Sequence, residues 1–306
     1  MKKLLFALMV IAISVNCVAE KNTLELNLAK YKVYTQDSKT NMNMNMNMMG
    51  QEFNLVMSVG GHMSFKVKDI IDTIYDFEVC YDSLFAKMSI MGRDMAFSSE
   101  RMSDTNDMMS KMMSTMKNKK FGMKMSKKGR IVELNDMDSI FSEFFKMEGL
   151  TQEQRTQLKS QVEQNFGEEN LKSSMSQICT IFPDKPVEIG DKWTIPGKMV
   201  TTLKSNTNTV YELKEVAKDY YLLSSNSQIL NDSTTSMNMN MQGVKVKLDI
   251  SGNILSEIKI DKTTGWVIES NGKQDMVAKG KFEGSGQTTE NMTMDIKLKG
   301  DFVMKP

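Results

Sequence analysis

A chain of 306 residues, 40% hydrophobic and 25% charged, can bury an ordinary core, and this composition excludes a low-hydrophobicity disordered polymer. Its 39 basic and 38 acidic residues leave a formal net charge of +1 and are interleaved along the chain. A clustered phosphate-binding surface is thereby excluded, and nucleic acid is not an expected partner.

Residues 1–19 read as a secretory signal peptide: Lys2 and Lys3 start it, an apolar run from Leu4 to Val15 follows, and small residues stand at Cys17 and Ala19. The run is shorter than the roughly 20 residues a bilayer requires, so it is not read as a spanning helix. Cleavage after Ala19 in the frame Cys17-Val18-Ala19 is the favoured chemistry. Lipid anchoring at Cys17 is the less favoured option, because Asn16 is a poor predecessor for a lipidated cysteine. The expected location is periplasmic or secreted.

Residues 20–135 are expected to form a first β unit with a methionine-rich helix. In NMNMNMNMMG, residues 41–50, strand geometry puts Met42, Met44, Met46 and Met48 on one side and Asn41, Asn43, Asn45 and Asn47 on the other. FNLVMSV follows, then a predicted turn VGGH at 59–62, then SFKVKD. In IYDFEVCY, Cys80 shares a polar face with Asp76 and Glu78, opposite Tyr75, Phe77 and Val79. A helix is predicted between about 103 and 117, with Met109, Met112, Met113 and Met116 on one stripe and Met108 beside it. KKGR at 127–130 reads as a turn.

Residues 136–181 read as helical. Ile140, Phe141, Phe144 and Phe145 share a stripe; Thr151 and Gln154 make a capping box ahead of Leu158, Val162 and Phe166; Leu171, Met175 and Ile178 continue the pattern. Residues 182–306 read as a second β unit, entered through FPDKPVEIGDKWT. It holds MNMNM at 237–241 (Met237, Met239, Met241), VKVKLDI at 244–250 and NMTMDIKLK at 291–299, with turns predicted at SGN (251–253) and KTTG (262–265). The text after each MNMNM is similar, which argues for an internal repeat. The fold class expected is α+β: mainly antiparallel sheet in two related β units with a helical middle segment.

After signal removal two cysteines remain, Cys80 and Cys179, in a compartment where disulfides persist. They are either two free thiols or one bridge, and the bridge Cys80–Cys179 is the expectation carried forward.

The YKV strand, the methionine strand ending in MMGQ, FPDKPVEIGDKW and DKTTGWVIES together resemble an exported bacterial protein family of unknown function, domain of unknown function 6263. The resemblance implies no activity and no catalytic residues. A β-rich exported chain with helices against an apolar sheet face is also similar in architecture to the half-barrels that carry lipoproteins.

Chemistry is sparse. The one histidine, His62, stands in a predicted turn, and no nucleophile elbow, Walker loop or spaced zinc-ligand set is present. No enzyme activity, cofactor or metal is expected. Methionine is the unusual feature, at 31 of 306 residues. It is unbranched and deformable, which suits core filling or a pocket for apolar ligands of varied shape. Its thioether also suits Cu(I), but residues i and i+2 on one strand lie roughly 6.6 Å apart, and these methionines are spread over strands and a helix. The reading is a non-enzymatic carrier or binding protein for an apolar or lipid-like ligand, lined by Met42, Met44, Met46, Met48, Met109, Met112, Met113, Met116, Met237, Met239 and Met241. A methionine-rich periplasmic Cu(I)-binding or redox-buffering protein, and an envelope structural protein without a ligand, are the alternatives. No protein partner is identified by the sequence.

Overall fold

The computed structural model describes residues 21–48, 50–101, 107–146, 151–200, 204–230, 245–283 and 293–306. The first half holds strands β1 (Val33–Met48), β2 (Gln51–Ile71), β3 (Ile74–Ile90), β4 (Arg93–Ser98), β5 (Lys120–Ser126) and β6 (Ile131–Asn135), with helix α1 (Met108–Met116) between β4 and β5. Helices α2 (Met137–Phe141), α3 (Gln152–Phe166) and α4 (Glu168–Cys179) follow. Strands β7 (Lys192–Val200), β8 (Lys204–Val216), β9 (Tyr220–Leu230), β10 (Lys245–Asp261), β11 (Val267–Glu283) and β12 (Thr293–Lys305) complete the chain. None of the described helices is long and apolar enough to cross a membrane.

All named strand pairs are antiparallel, and the strands form one sheet in the order β6-β5-β3-β2-β1-β12-β11-β10-β9-β8-β7, with β4 paired to β3. The first and last strands are neighbours, in register from Asp37 opposite Lys305 to Met48 opposite Met294. The strands expected in two separate β units therefore run together in one open sheet. Alternation decides which side chains point inward. Tyr75, Phe77 and Val79 of β3 and Phe121, Met123 and Met125 of β5 are buried, while Glu78 and Lys120 pair on the opposite face at 2.8 Å.

The sheet curls at one end. Residues 21–32 cross that end, where Leu26 N–H donates to Lys127 O in the β5–β6 turn (2.8 Å) and the next residue, Asn27, donates to Thr264 O in the β10–β11 turn (2.7 Å). On a flat sheet β5 and β11 would lie five strand spacings apart, roughly 24 Å. Adjacent residues reach both turns because the halves bend toward each other. Helix α4 spans the remaining gap between the two edge strands: Lys172 Nζ donates to Val132 O of β6 (2.9 Å) and Ser173 Oγ donates to Lys198 O of β7 (2.6 Å). Edge backbone that would otherwise be open to another chain is thus occupied.

The inner face carries two apolar clusters. The larger, at the curled end, gathers Leu24, Leu26 and Leu28 with Phe65, Phe77, Met123, Ile140, Phe144, Leu213, Ile260 and Trp266. The smaller lies toward the other end of the strands and joins Ile229, Leu248, Ile250, Ala278 and Met294, with Met46, Met48, Met276, Phe282 and Ile296 packed against them.

Several local expectations hold. KKGR and KTTG are turns with Gly129 and Gly265 at positive φ. The Thr151–Gln154 capping box is formed in both directions. Ile140, Phe141 and Phe144 are buried, although the helix they were expected to share is a five-residue α2 followed by a 3-10 turn at Phe144–Lys146. VGGH and SGN are not turns: Gly60 and Gly61 lie inside β2, and Gly252 lies inside β10. The reason is close packing. A Cβ on Gly60 would sit 2.2 Å from Ser38 O and 2.8 Å from the Phe85 ring, and one on Gly252 would sit 2.4 Å from Asp275 O.

Candidate functional site

Along β1 the inner positions are Tyr34, Gln36, Ser38, Thr40 and then Met42, Met44, Met46 and Met48. The register carries this apolar face sideways. Met44 lies between Leu55 of β2 and Leu298 of β12, and Met46 lies between Phe53 and Ile296. One row further, Met42 has Met57 on one side and Gly300 on the other. Met276 and Ala278 of β11 extend the rows to Gly252 and Ile250 of β10. Most of these side chains are only half-buried, and Ile90 and Met95 at the margin are exposed. A contiguous apolar face of this extent is unusual on a soluble surface unless it meets a ligand or partner.

The opposite face is wet and tied together. Asn54 Nδ2 donates to Asn45 Oδ1 (2.8 Å), Ser58 Oγ donates to Asn41 Oδ1 (2.9 Å), and Asn41 Nδ2 donates to Asp301 (2.9 Å). Ionised pairs stud it: the Lys120 ammonium hydrogen-bonded to Glu78 holds that carboxyl below its usual range.

The expected lining residues do not all meet. Met42, Met44, Met46 and Met48 share the inner sheet face, with Met46 and Met48 in the smaller cluster. On α1, Met112 and Met116 are buried in the larger cluster, Met113 is half-buried and Met109 is exposed. The helix stripe and the strand stripe therefore belong to different apolar clusters. Met237, Met239 and Met241 lie outside the described residues, as does the expected signal peptide. Beside α1 there is a cavity of about 260 Å³ among Tyr81, Met116, Met137, Ile140, Phe141 and Leu171, with Asn170 and Ser174 at its wall. That is below the roughly 300 Å³ at which drug-sized pockets begin.

The expected Cys80–Cys179 bridge is not formed; both thiols are free. The sheet lies between them. Cys80 projects from the outer face of β3 near Asp82, Lys120 and Glu78, whereas Cys179 ends α4 and packs against the inner core. Burial pushes the Cys80 thiol up to about 11, with the Asp82 carboxylate adding to the shift, and burial alone pushes Cys179 up to about 12. His62, expected in a turn, stands on the outer face of β2 with Nδ1 2.7 Å from Asp37 Oδ1 and Nε2 3.8 Å from Asp82 Oδ2. Both ring nitrogens thus address carboxylates. Among the described residues no group of three His, Cys, Asp or Glu side chains is arranged to hold a metal ion.

Sequence reasoning missed Met57, Met88 and Met95. Each follows its neighbour across the strands at Met42–Met57–Met88–Met95. Only Met42 sits in the repetitive stretch, and the register that aligns the other three is not written in local pattern.

The architecture defines a class: a single open antiparallel sheet, curled at one end, with one polar face and one apolar face. The chain belongs to the family of unknown function DUF6263, whose model matches residues 72–267. A comparison with curated proteins finds no match. Among solved structures the chain is similar to lipovitellin, described for its lipid–protein interactions, at 8% identity and a TM-score of 0.44, covering 90% of this chain and 25% of that one. The chain thus spans a quarter of the length of the lipovitellin chain it matches. It is also similar to the COG4313 outer membrane channel from Pseudomonas putida F1 at 9% identity and a TM-score of 0.25, covering 91% and 96% of the two chains. Similarity to OccK7 (OpdD) of Pseudomonas aeruginosa is at 7% identity and a TM-score of 0.22, over 90% and 98%.

Proposed function

We propose that the protein is an exported, non-catalytic carrier or binding protein for an apolar, lipid-like molecule, which lies against the inner face of the sheet beyond the helix-covered end. The observation that supports this is the run of half-buried Met42, Met44, Leu55, Met57, Met276 and Leu298 across four neighbouring strands. The described helices pack on β3 to β7 and leave the centre of this face to other cover. An acyl chain suits it because no side chain in the Met44 and Met46 rows from β2 to β11 is charged. The methionines also adapt to chains of different length, through three rotatable bonds each.

The test is titration of delipidated protein with a fluorescent fatty-acyl probe, repeated on Met44→Trp and Met276→Trp. Saturable binding by the wild type and weakening by at least about tenfold in the filled variants is expected. Absence of saturable binding, or unchanged affinity in both variants, overturns the carrier reading.

A further inference from the structure

The in-register row of methionines has a chemistry separate from lipid binding. Met42 on β1 is opposite Met57 on β2, Met57 is opposite Met88 on β3, and Met88 is opposite Met95 on β4. All four project from the inner face. Directly opposed residues on adjacent antiparallel strands have Cβ atoms about 4.5–5.5 Å apart. Each thioether sulfur stands two bonds beyond its Cβ on freely rotating bonds, so neighbouring sulfurs can converge on one ion. This removes the obstacle posed by alternate methionines along a single strand, whose spacing is longer and whose neighbours here are Leu55, Leu298, Phe53 and Ile296.

The surroundings select the ion. On one side the row is flanked by Val59, Ala86 and Phe97, and on the other by Leu55 and Ile90, so no carboxylate for a hard cation is interleaved, and the Thr40 hydroxyl stands only at the far end of the flanking row, opposite Val59. Arg93 stands opposite Ile90 at the end of the neighbouring row. Its fixed charge penalises a divalent ion more than a monovalent one. Beyond Met42 the row meets Gly300, which has no side chain, and at the other end Met95 is 37% exposed on a strand that, among the described residues, pairs only with β3. Solvent can therefore deliver an ion at the β4 margin.

We propose that Met57, Met88 and Met95, three adjacent members of the row, form a binding site for a soft monovalent cation of the Cu(I) class. Thioethers are soft, uncharged donors that suit Cu(I). They hold no proton to be displaced, so this site differs from cysteine or histidine sites in being indifferent to acid.

The experiment titrates reduced, full-length mature protein with Cu(I) against a competing chromogenic chelator at pH 7.5 and pH 5, with both cysteines alkylated under denaturing conditions before refolding in a parallel sample. Met57→Leu/Met88→Leu is compared with Met44→Leu/Met46→Leu; both keep side-chain volume, and circular dichroism checks that each is folded. The expected result is one Cu(I) per chain, equal affinity at both pH values, survival of alkylation, and a loss of at least about tenfold only in the Met57/Met88 variant. Binding that vanishes at pH 5 or on alkylation, equal loss in both variants, full retention in the Met57/Met88 variant, or no stoichiometric binding overturns the proposal. None of these outcomes bears on acyl-probe binding, which the Met44 and Met276 variants test separately.

Discussion

Asparagine is a poor strand former, yet it alternates with methionine on β1 for a reason visible only across the sheet. Asn41 and Asn45 each donate and accept. Asn45 Nδ2 reaches Asn43 Oδ1 (3.3 Å), Asn54 Nδ2 reaches Asn45 Oδ1 (2.8 Å), and Asn47 Oδ1 accepts from Gly50 N–H (3.2 Å) at the hairpin. A threonine hydroxyl also donates and accepts, but with one hydrogen on one atom, whereas the amide offers two hydrogens and a separate acceptor oxygen. The close approach at Gly60 gives the first prediction. Gly60→Ala places a methyl against Ser38 O and Phe85, so it should lower stability by about 1–3 kcal/mol by denaturant unfolding. A change under about 0.5 kcal/mol would mean the strands part more easily than the packing implies. The thiols give the second. With Cys80 raised to about 11 and Cys179 to about 12, little thiolate exists at pH 8, and both should alkylate slowly in the native protein and fast once unfolded. A native thiol that is raised in this way supports the fold below its unfolded value of about 8.5, and that support is lost as pH rises toward the folded values. A non-reduced mass two hydrogens lighter than the dithiol would instead show a bridge.

At the scale of elements, the third prediction concerns α1. Its Ser110 is buried, and its Oγ accepts from Ser98 N–H of β4 at 3.0 Å, holding the methionine helix to the edge strand. Ser110→Ala leaves that half-buried donor unpaired and should cost about 1–2 kcal/mol, measured by thermal or denaturant unfolding, with a Ser110→Thr control recovering part of it. Equal stability of the alanine variant would show that α1 docks through Met112 and Met116 alone. The helices were legible because capping and apolar spacing are local: Thr151 with Gln154, and the Met112–Met116 pair, state themselves within one turn. The hairpin at Met91–Gly92 was not legible. Both residues take positive φ, at 51° and 78°, as the tight two-residue turns require, but Met-Gly is not among the dipeptides that announce one. Conversely, the glycine pair at 60–61 announces a turn and serves close strand packing. The inward face of each strand was readable from alternation; which strands adjoin was not, because Met42 and Gly300 are neighbours through a register spanning most of the chain.

For the whole molecule, segment 21–32 crosses the curled end, and one buried phenol ties its middle to β3. Tyr75 OH donates to Leu26 O at 2.9 Å and accepts from Leu28 N–H at 3.1 Å, and Tyr75 is 1% exposed. The residues on either side of Leu26 O then reach the β5–β6 turn through Leu26 N–H and the β10–β11 turn through Asn27 N–H. Tyr75→Phe keeps the ring among Phe77 and its neighbours while removing both bonds, leaving a buried carbonyl and a buried amide unpaired. The expected loss is about 2–5 kcal/mol, two buried groups at about 1–3 kcal/mol each less what local relaxation recovers. Its distribution matters more than its size. Hydrogen exchange should quicken at Leu26, Asn27 and Leu28, while β1 and β12, paired from Asp37 to Met48 at the centre of the sheet, keep their protection. If exchange instead quickens evenly along β1 and β12, the clasp and the apolar face unfold as one cooperative unit, and the curled end could not open without exposing the methionine rows. If it quickens only at the segment, the inner face can admit or release a molecule from that end while the sheet that lines it stays intact.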